Sequence, residues 1–346
     1  LGYLFVGLRL PRSTAPINET AMTKKKSSAP RRPRPADNAF KGENIRGGVN
    51  EPTYGGALSF MRRRYAKNAN GADLAIWGVP FDAATSNRPG ARFGPRAIRA
   101  ASAILEGDPQ YPWGFDLFAK MTAVDVGDCA LDYGNHDDAP HEIERQAKEI
   151  LDTGATLLTL GGDHFVTYPL LKAHVAKHGP LALVQFDAHQ DTWHPEAGRI
   201  DHGSFVARAA IEGLIDVKHS IQIGIRTHAP ATHGIEIIHG NAVETLGVHG
   251  VVKKVLKRVG KKKAYLTFDI DALDPAFAPG TGTPVSGGLT SREALMMLRT
   301  LAPINFVGFD VMEVSPPYDQ SEITAIAAAH VAMHCVGLAA LKRGTK

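Results

Sequence analysis

The chain has 346 residues, 44% of them hydrophobic and 21% charged, and a formal net charge of +4. This is the composition of a globular protein and excludes a fibrous or wholly disordered one. Cys129 and Cys335 form no Cys-x-x-Cys pair, which disfavours a thiolate zinc site and a disulfide framework and predicts a reducing, cytoplasmic setting.

Residues 1–45 read as a disordered basic extension, rich in Pro, Lys and Arg and without apolar period. Within it Lys24–Arg34 carries no acid. Such a tract is more often a solvated tail than a binding patch, so no nucleic-acid partner is expected. Met22 precedes the tract, and residues 1–21 read as an upstream extension or start-site artefact, with an organellar presequence as the alternative. No apolar run reads as long enough to span a bilayer, so no membrane partner is expected. Residues 46–346 are expected to form a single catalytic domain.

The first core strand is predicted over Ala72–Val79, stopped by Pro80. A long polar loop, Phe81–Gly94, follows, and Pro95 opens a helix that runs to Glu106. Next come a strand over Thr122–Gly127 and an amphipathic helix over Pro140–Asp152, with Gly154 closing it. A strand from Thr156 turns at Gly161 and Gly162 into Asp163 and His164, and a helix covers Thr167–Lys177. The apolar run from Leu181 is a strand; a loop over Thr192–Asp201 then leads to another helix. Strands are predicted over Ser220–Ile225, Ile235–Ile238 and Ala264–Asp271, and a helix over Val243–Val259 ends at Gly260. The Pro/Gly loop Ala272–Pro284 leads to a helix over Thr290–Leu301, whose Thr290 and Glu293 have capping-box spacing. Asn305–Glu313 is the last strand, and Asp319 and Glu322 are placed to cap a final Ala-rich helix. About eight strands alternate with helices, the pattern of parallel βαβ units in an α/β fold.

Three strand ends stand out. Asp187, His189 and Asp191 occupy alternate positions, so on extended backbone they share a face. Asp269 and Asp271 repeat the device, and the Gly161–Gly162 turn presents His164. Any one of these alone reads as a strand running into a polar loop. Together they crowd carboxylates that repel one another unless a cation sits among them. Four Asp and two His without sulfur favour a hard or borderline divalent ion, and six ligands fit two ions sharing carboxylates better than one. Such a centre implies metal-assisted hydrolysis and suits a cationic substrate. There is no Gly-x-x-x-x-Gly-Lys-Ser/Thr phosphate loop and no Gly-x-Ser-x-Gly elbow.

These residues resemble a known family. Gly161–His164, Asp187–Asp191 and Asp269–Pro275 are similar to the three signatures of the arginase/agmatinase ureohydrolases. Pro80–Asp82, Gly94–Pro95, Asp201–Gly203 and Glu313–Pro316 extend the likeness over residues 72–340. The resemblance implies a three-layer α/β/α sandwich with a mostly parallel central sheet, two Mn²⁺ per subunit and a homotrimer or homohexamer. It implies His164, Asp187, Asp191 and Asp269 on one ion and Asp187, His189, Asp269 and Asp271 on the other, with Asp187 and Asp269 bridging. His202 matches the family's cleft histidine, a proton shuttle or a donor to the leaving amine. Glu313 matches the glutamate that pairs with the substrate guanidinium. Asp163 is expected to orient the loop or a ligand.

Within the family the likeness is to the branch that hydrolyses agmatine to putrescine and urea. The run Glu196–His202 departs from the Ser-Gly-Asn-type segment with which arginases hold an α-carboxylate. The rival reading is hydrolysis of guanidinobutyrate or another ω-guanidino acid, with Arg88 or Arg199 binding the distal carboxylate. A non-catalytic metal-binding scaffold is the minor alternative; it would be expected to have lost a ligand, His202 or Glu313, and all are present.

Overall fold

The strands of this chain are apolar runs covered on both sides. Every residue of β1 (Leu74–Val79) and β4 (Ala182–Phe186) is buried, as a parallel sheet between helical layers requires. The computed structural model describes residues 52–105, 109–119, 121–196 and 199–343. The expected extension over residues 1–45, and its boundary, lie outside the described residues.

The remaining strands are β2 (Ala123–Asp128), β3 (Thr156–Gly161), β5 (Ile221–Ile225), β6 (Glu236–His239), β7 (Lys263–Asp269) and β8 (Asn305–Met312). They form one eight-stranded sheet in the order β2-β1-β3-β8-β7-β4-β5-β6. Each strand pairing is parallel, so the sheet is wholly rather than mostly parallel. The chain lays β4 down well away from β3, and β7 and β8 later fill the gap. The four strands that bear the polar motifs are thereby contiguous at the centre.

Helices cover both faces. Residues of α2 (Ala139–Asp152), α3 (Thr167–His178) and α4 (Phe205–Ile211) pack into one apolar core, with Ile143, Leu170 and Phe205 fully buried. Residues of α1 (Gly94–Ala101), α5 (Gly240–Val259), α6 (Ser291–Thr300) and α7 (Ile323–Arg343) pack into the other, through Ile98, Val259, Ala294 and Ala328. The result is the expected three-layer α/β/α sandwich.

Four details depart from the sequence reading. The first helix stops at Ala101 and tightens into a turn over Ser102–Leu105; Ser102 Oγ donates to the Arg99 carbonyl (2.7 Å) and accepts from the Met61 N–H (2.7 Å). The α5 helix is interrupted at Gly247, whose φ of 63° is left-handed. Asp319 caps α7 by accepting the Thr324 and Ala325 N–H groups at 3.0 and 3.1 Å, but Glu322 is not its partner. With Ser321 it adopts left-handed φ, and the helix begins only at Ile323. Finally, α7 is long and apolar enough to cross a membrane, contrary to the expectation that no run would be. Its most apolar stretch is 78% buried inside the fold, so it is a core helix here. By contrast, α6 carries the predicted capping box in full.

Candidate metal centre

The central strands deliver their polar residues to the carboxyl edge of the sheet, where open α/β sheets bind ligands. At the end of β3 only glycine fits. A Cβ on Gly161 would lie 1.8 Å from Met312 Sδ, and one on Gly162 would lie 1.9 Å from the Phe81 carbonyl oxygen. The chain turns there and buries Asp163 and His164.

All six residues marked as metal ligands converge. His164 Nδ1 lies 3.0 Å from Asp187 Oδ2, 3.0 Å from Asp269 Oδ2 and 3.3 Å from Asp191 Oδ2. His189 Nδ1 lies 3.0 Å from Asp271 Oδ2 and 3.5 Å from Asp187 Oδ1. Asp187 therefore faces both imidazoles, one oxygen to each. Asp269 turns one oxygen to His164 and accepts the Asp271 N–H (2.8 Å) with the other.

The electrostatics fit a bound cation. Burial and the neighbouring Asp187 carboxylate push Asp191 well above the usual range, and burial, Asp271 and Asp187 do the same to Asp269. Burial disfavours charged imidazoles, yet Asp187 and Asp269 hold His164 well above its ordinary value, and Asp271 and Asp187 lift His189 to about 12. Burial also opposes charge on Asp187, but the two histidines keep its carboxyl far below normal. Without metal, protons on the imidazoles offset the carboxylate charge. His164 Nδ1 is buried, aims at three carboxylates and has no hydrogen-bond partner. Carboxylate oxygens and imidazole nitrogens at these separations fit two hard or borderline divalent ions.

His202 and Glu313 adjoin this cluster. His202 Nδ1 is 2.9 Å from Glu313 Oε1, and the same oxygen accepts the His164 N–H at 2.9 Å. Glu313 Oε2 is buried and has no partner. Burial pulls His202 down, but the hydrogen bond and charge of Glu313 more than reverse this, leaving it at about 9. Glu313 and Asp191 hold left-handed φ of 64° and 50°, a conformation uncommon for side-chain-bearing residues and concentrated at functional sites.

The long loop after β1 closes over this group. Asp82 accepts from the Gly90 N–H (2.7 Å) and from Arg92 Nε (2.5 Å), cross-bracing the loop, and Asp163 Oδ2 accepts from the Ala84 N–H (2.8 Å). Asp163 thus orients the loop, as expected. Ser86, carried by it, places its Oγ 2.7 Å and its N–H 3.0 Å from His202 Nε2.

A cavity of about 530 Å³ opens onto the centre, lined by His164, His189, Asp191, His202 and Asp269 and also by Trp193, Arg199 and Asp201. Arg199 pairs with Glu196 at 3.3 Å. Arg88 is not among the lining residues; its guanidinium lies 5.2 Å from the Tyr318 ring centre. Of the two arginines marked from sequence, only Arg199 reaches the cavity.

Sequence reasoning missed Ser86, Gln185, Thr267 and Asp310. Gln185 Nε2 donates to Asp187 Oδ2 (2.7 Å), and His164 Nε2 meets Thr267 Oγ1 (2.7 Å). The signal was present for two of them: Gln185 and Thr267 each stand two positions before a motif aspartate and so share its face.

Comparison with known proteins accords with this geometry. The family model described as "Arginase family" matches residues 72–337. The chain is 50% identical over 298 residues to the agmatinase of Chromobacterium violaceum, covering 86% of this chain and 92% of that protein. The crystal structure of a hypothetical agmatinase from Burkholderia thailandensis superposes with a TM-score of 0.86 at 48% identity, covering 89% of this chain and 98% of that one. Proclavaminate amidino hydrolase from Streptomyces clavuligerus superposes with a TM-score of 0.80 at 40% identity, over 84% and 99% of the two chains. With the family model matching residues 72–337 and a relative of 50% identity covering 86% of the chain, the chain belongs to the arginase family.

Proposed function

We propose that this chain is an agmatine ureohydrolase, converting agmatine and water to putrescine and urea. The observation that carries this reading is the free, buried Oε2 of Glu313, whose other oxygen is bonded to His164 and His202, two residues that line the cavity. A guanidinium is donor-only and planar, and a carboxylate oxygen without a partner is its complement. Relatives named agmatinase at about half identity support the same substrate.

Two divalent ions, read as Mn²⁺ from the family resemblance, would be held by His164, Asp187, His189, Asp191, Asp269 and Asp271, and when bound would supply hydroxide near neutral pH. The protein's own residues do the rest. The acidic wall draws in a cationic substrate. Glu313 fixes the guanidinium so that its carbon faces the ligand cluster, converting binding into orientation. His202, held between Glu313 and Ser86, moves a proton to the departing amine. A homotrimer or homohexamer in the cytoplasm belongs to the same proposal; the two buried free thiols, Cys129 and Cys335, suit a reducing compartment.

A second reading, hydrolysis of an ω-guanidino acid, is favoured by one observation: Arg199 lines the cavity. Its pairing with Glu196 offsets that charge. Urea release by Mn²⁺-loaded protein, measured with agmatine, guanidinobutyrate and arginine in parallel, separates the two. Agmatine is expected to be preferred. Preference for guanidinobutyrate would transfer the site to the second reading, and no urea from any substrate with metal bound would refute both.

A further inference from the structure

Beneath the metal centre runs a buried polar row that crosses five strands. Gln222 of β5 is in register with Gln185 of β4, Gln185 with Thr267 of β7, Thr267 with Asp310 of β8, and Asp310 with Thr159 of β3. All five are fully buried. Most of the surrounding strand positions are apolar, so a carboxylate here is costly. Among the described residues Asp310 makes no ion pair with Lys or Arg. Its partners are hydroxyls: Thr267 Oγ1 at 2.5 Å on one oxygen and Thr167 Oγ1 at 2.9 Å on the other.

The direction of these bonds follows from chemistry. An ionised carboxylate only accepts, so Thr267 donates its single proton to Asp310. Its oxygen is then left to accept from His164 Nε2, 2.7 Å away. That fixes one His164 ring proton on Nε2, so the nitrogen an ion would take is Nδ1, the atom aimed at Asp187, Asp191 and Asp269. Metal-binding histidines commonly donate their second nitrogen to a carboxylate, which fixes the tautomer and raises the basicity of the coordinating atom. Here a threonine hydroxyl stands between the two.

We propose that Asp310, acting through the Thr267 hydroxyl, is a positioning residue that fixes the tautomer and orientation of His164 and strengthens its hold on a divalent ion. The inference rests on the metal-centre reading above. A purely structural alternative exists, because Asp310 also ties Thr167, at the start of α3, to the sheet. Charge separates them. Asn at 310 can still accept from Thr267 and offer its amide to Thr167, but it lacks the negative charge that draws the Thr267 proton.

The test is Mn²⁺ binding to the full-length, metal-stripped protein by titration calorimetry, with the electron paramagnetic resonance spectrum of the loaded protein and thermal unfolding of the metal-free form. Asp310→Asn and Thr267→Val are expected to lose about 10- to 100-fold in affinity at the His164 site. Thr267→Ser, which restores the hydroxyl, is expected to stay near wild type, and metal-free Asp310→Asn to melt no lower than wild type. Wild-type Mn²⁺ affinity and spectrum in Asp310→Asn would overturn the proposal, as would an affinity loss accompanied by a matching fall in metal-free stability. Should Thr267→Val fail to fold, Asp310→Asn decides alone. Asp187→Asn is the control for the underlying reading: unchanged Mn²⁺ binding in that variant would refute the centre itself.

Discussion

Replacing Glu313 with Gln alters one charge and almost no volume. Glu313 Oε1 accepts from the His164 N–H and from His202 Nδ1, each at 2.9 Å, and a glutamine carbonyl can keep both bonds. The change falls on Oε2, which is buried and free. In the variant an amide donor takes its place and faces a guanidinium that is itself only a donor. Losing a hydrogen bond to a charged group costs about 1.5–3 kcal/mol, or about 10- to 150-fold in kcat/KM. A second effect follows, because Glu313 is the main group holding His202 up at about 9. Without that carboxylate, burial dominates and His202 falls toward or below the ordinary value of about 6.5. The imidazole is protonated below its pKa, so activity that needs that proton will decline from a lower pH in the variant. The assay is urea release from agmatine across pH, with thermal unfolding to show that the fold persists. A kcat/KM within about threefold of wild type, with an unmoved alkaline limb, would refute the role of Glu313 as both substrate acceptor and His202 partner.

Metal loading should depend on pH with a definite sign. In the metal-free protein His164 and His189 are raised, His189 to about 12, so ions must displace their protons and apparent affinity rises with pH. The same raised groups stabilise the metal-free fold fully below about pH 6.5, and that contribution is lost as pH rises through the folded value. The gap in melting temperature between loaded and stripped protein is therefore expected to widen from pH 6 to pH 9; a constant gap would contradict this. Away from the site, Arg99→Met should destabilise without touching chemistry. Arg99 is buried and bridges Asp125 at 2.8 Å and Asp128 at 2.6 Å, and its loss strands the Asp125 carboxylate with only the Phe60 and Gly127 N–H groups. A loss of about 3–5 kcal/mol is expected in denaturant unfolding, and a loss below about 1 kcal/mol would show that the pair is not what ties α1 to β2.

What the sequence makes legible here is local and periodic. Alternation of strand and helix is enough for the α/β class. The period-two spacing picks out Asp187, His189 and Asp191, but not by the expected extended backbone: β4 ends at Phe186, the chain bends at Ala188 and His189, Asp191 has a left-handed φ of 50°, and Asp271 lies in a tight turn after β7, so loop geometry gathers the ligands. The order of the sheet is a different kind of fact. Nothing near β4 states that β7 and β8 will later enter between it and β3, yet that insertion is what brings Asp187 and Asp269 each to 3.0 Å from His164. Ser86 illustrates the same limit, since its contact with His202 spans 116 residues and depends on a loop braced by Asp82 and Asp163. Glu322 and α7 mislead for a related reason: capping spacing and apolar length are satisfied locally, but the left-handed Glu322 and the buried helix are set by what the chain packs against. Asp310 is the instructive case. Read along its strand it is an acid in an apolar run, with no neighbour to give it a purpose. Only the parallel register with Thr267 supplies one, and through it a fourth strand joins the three that carry the ligands.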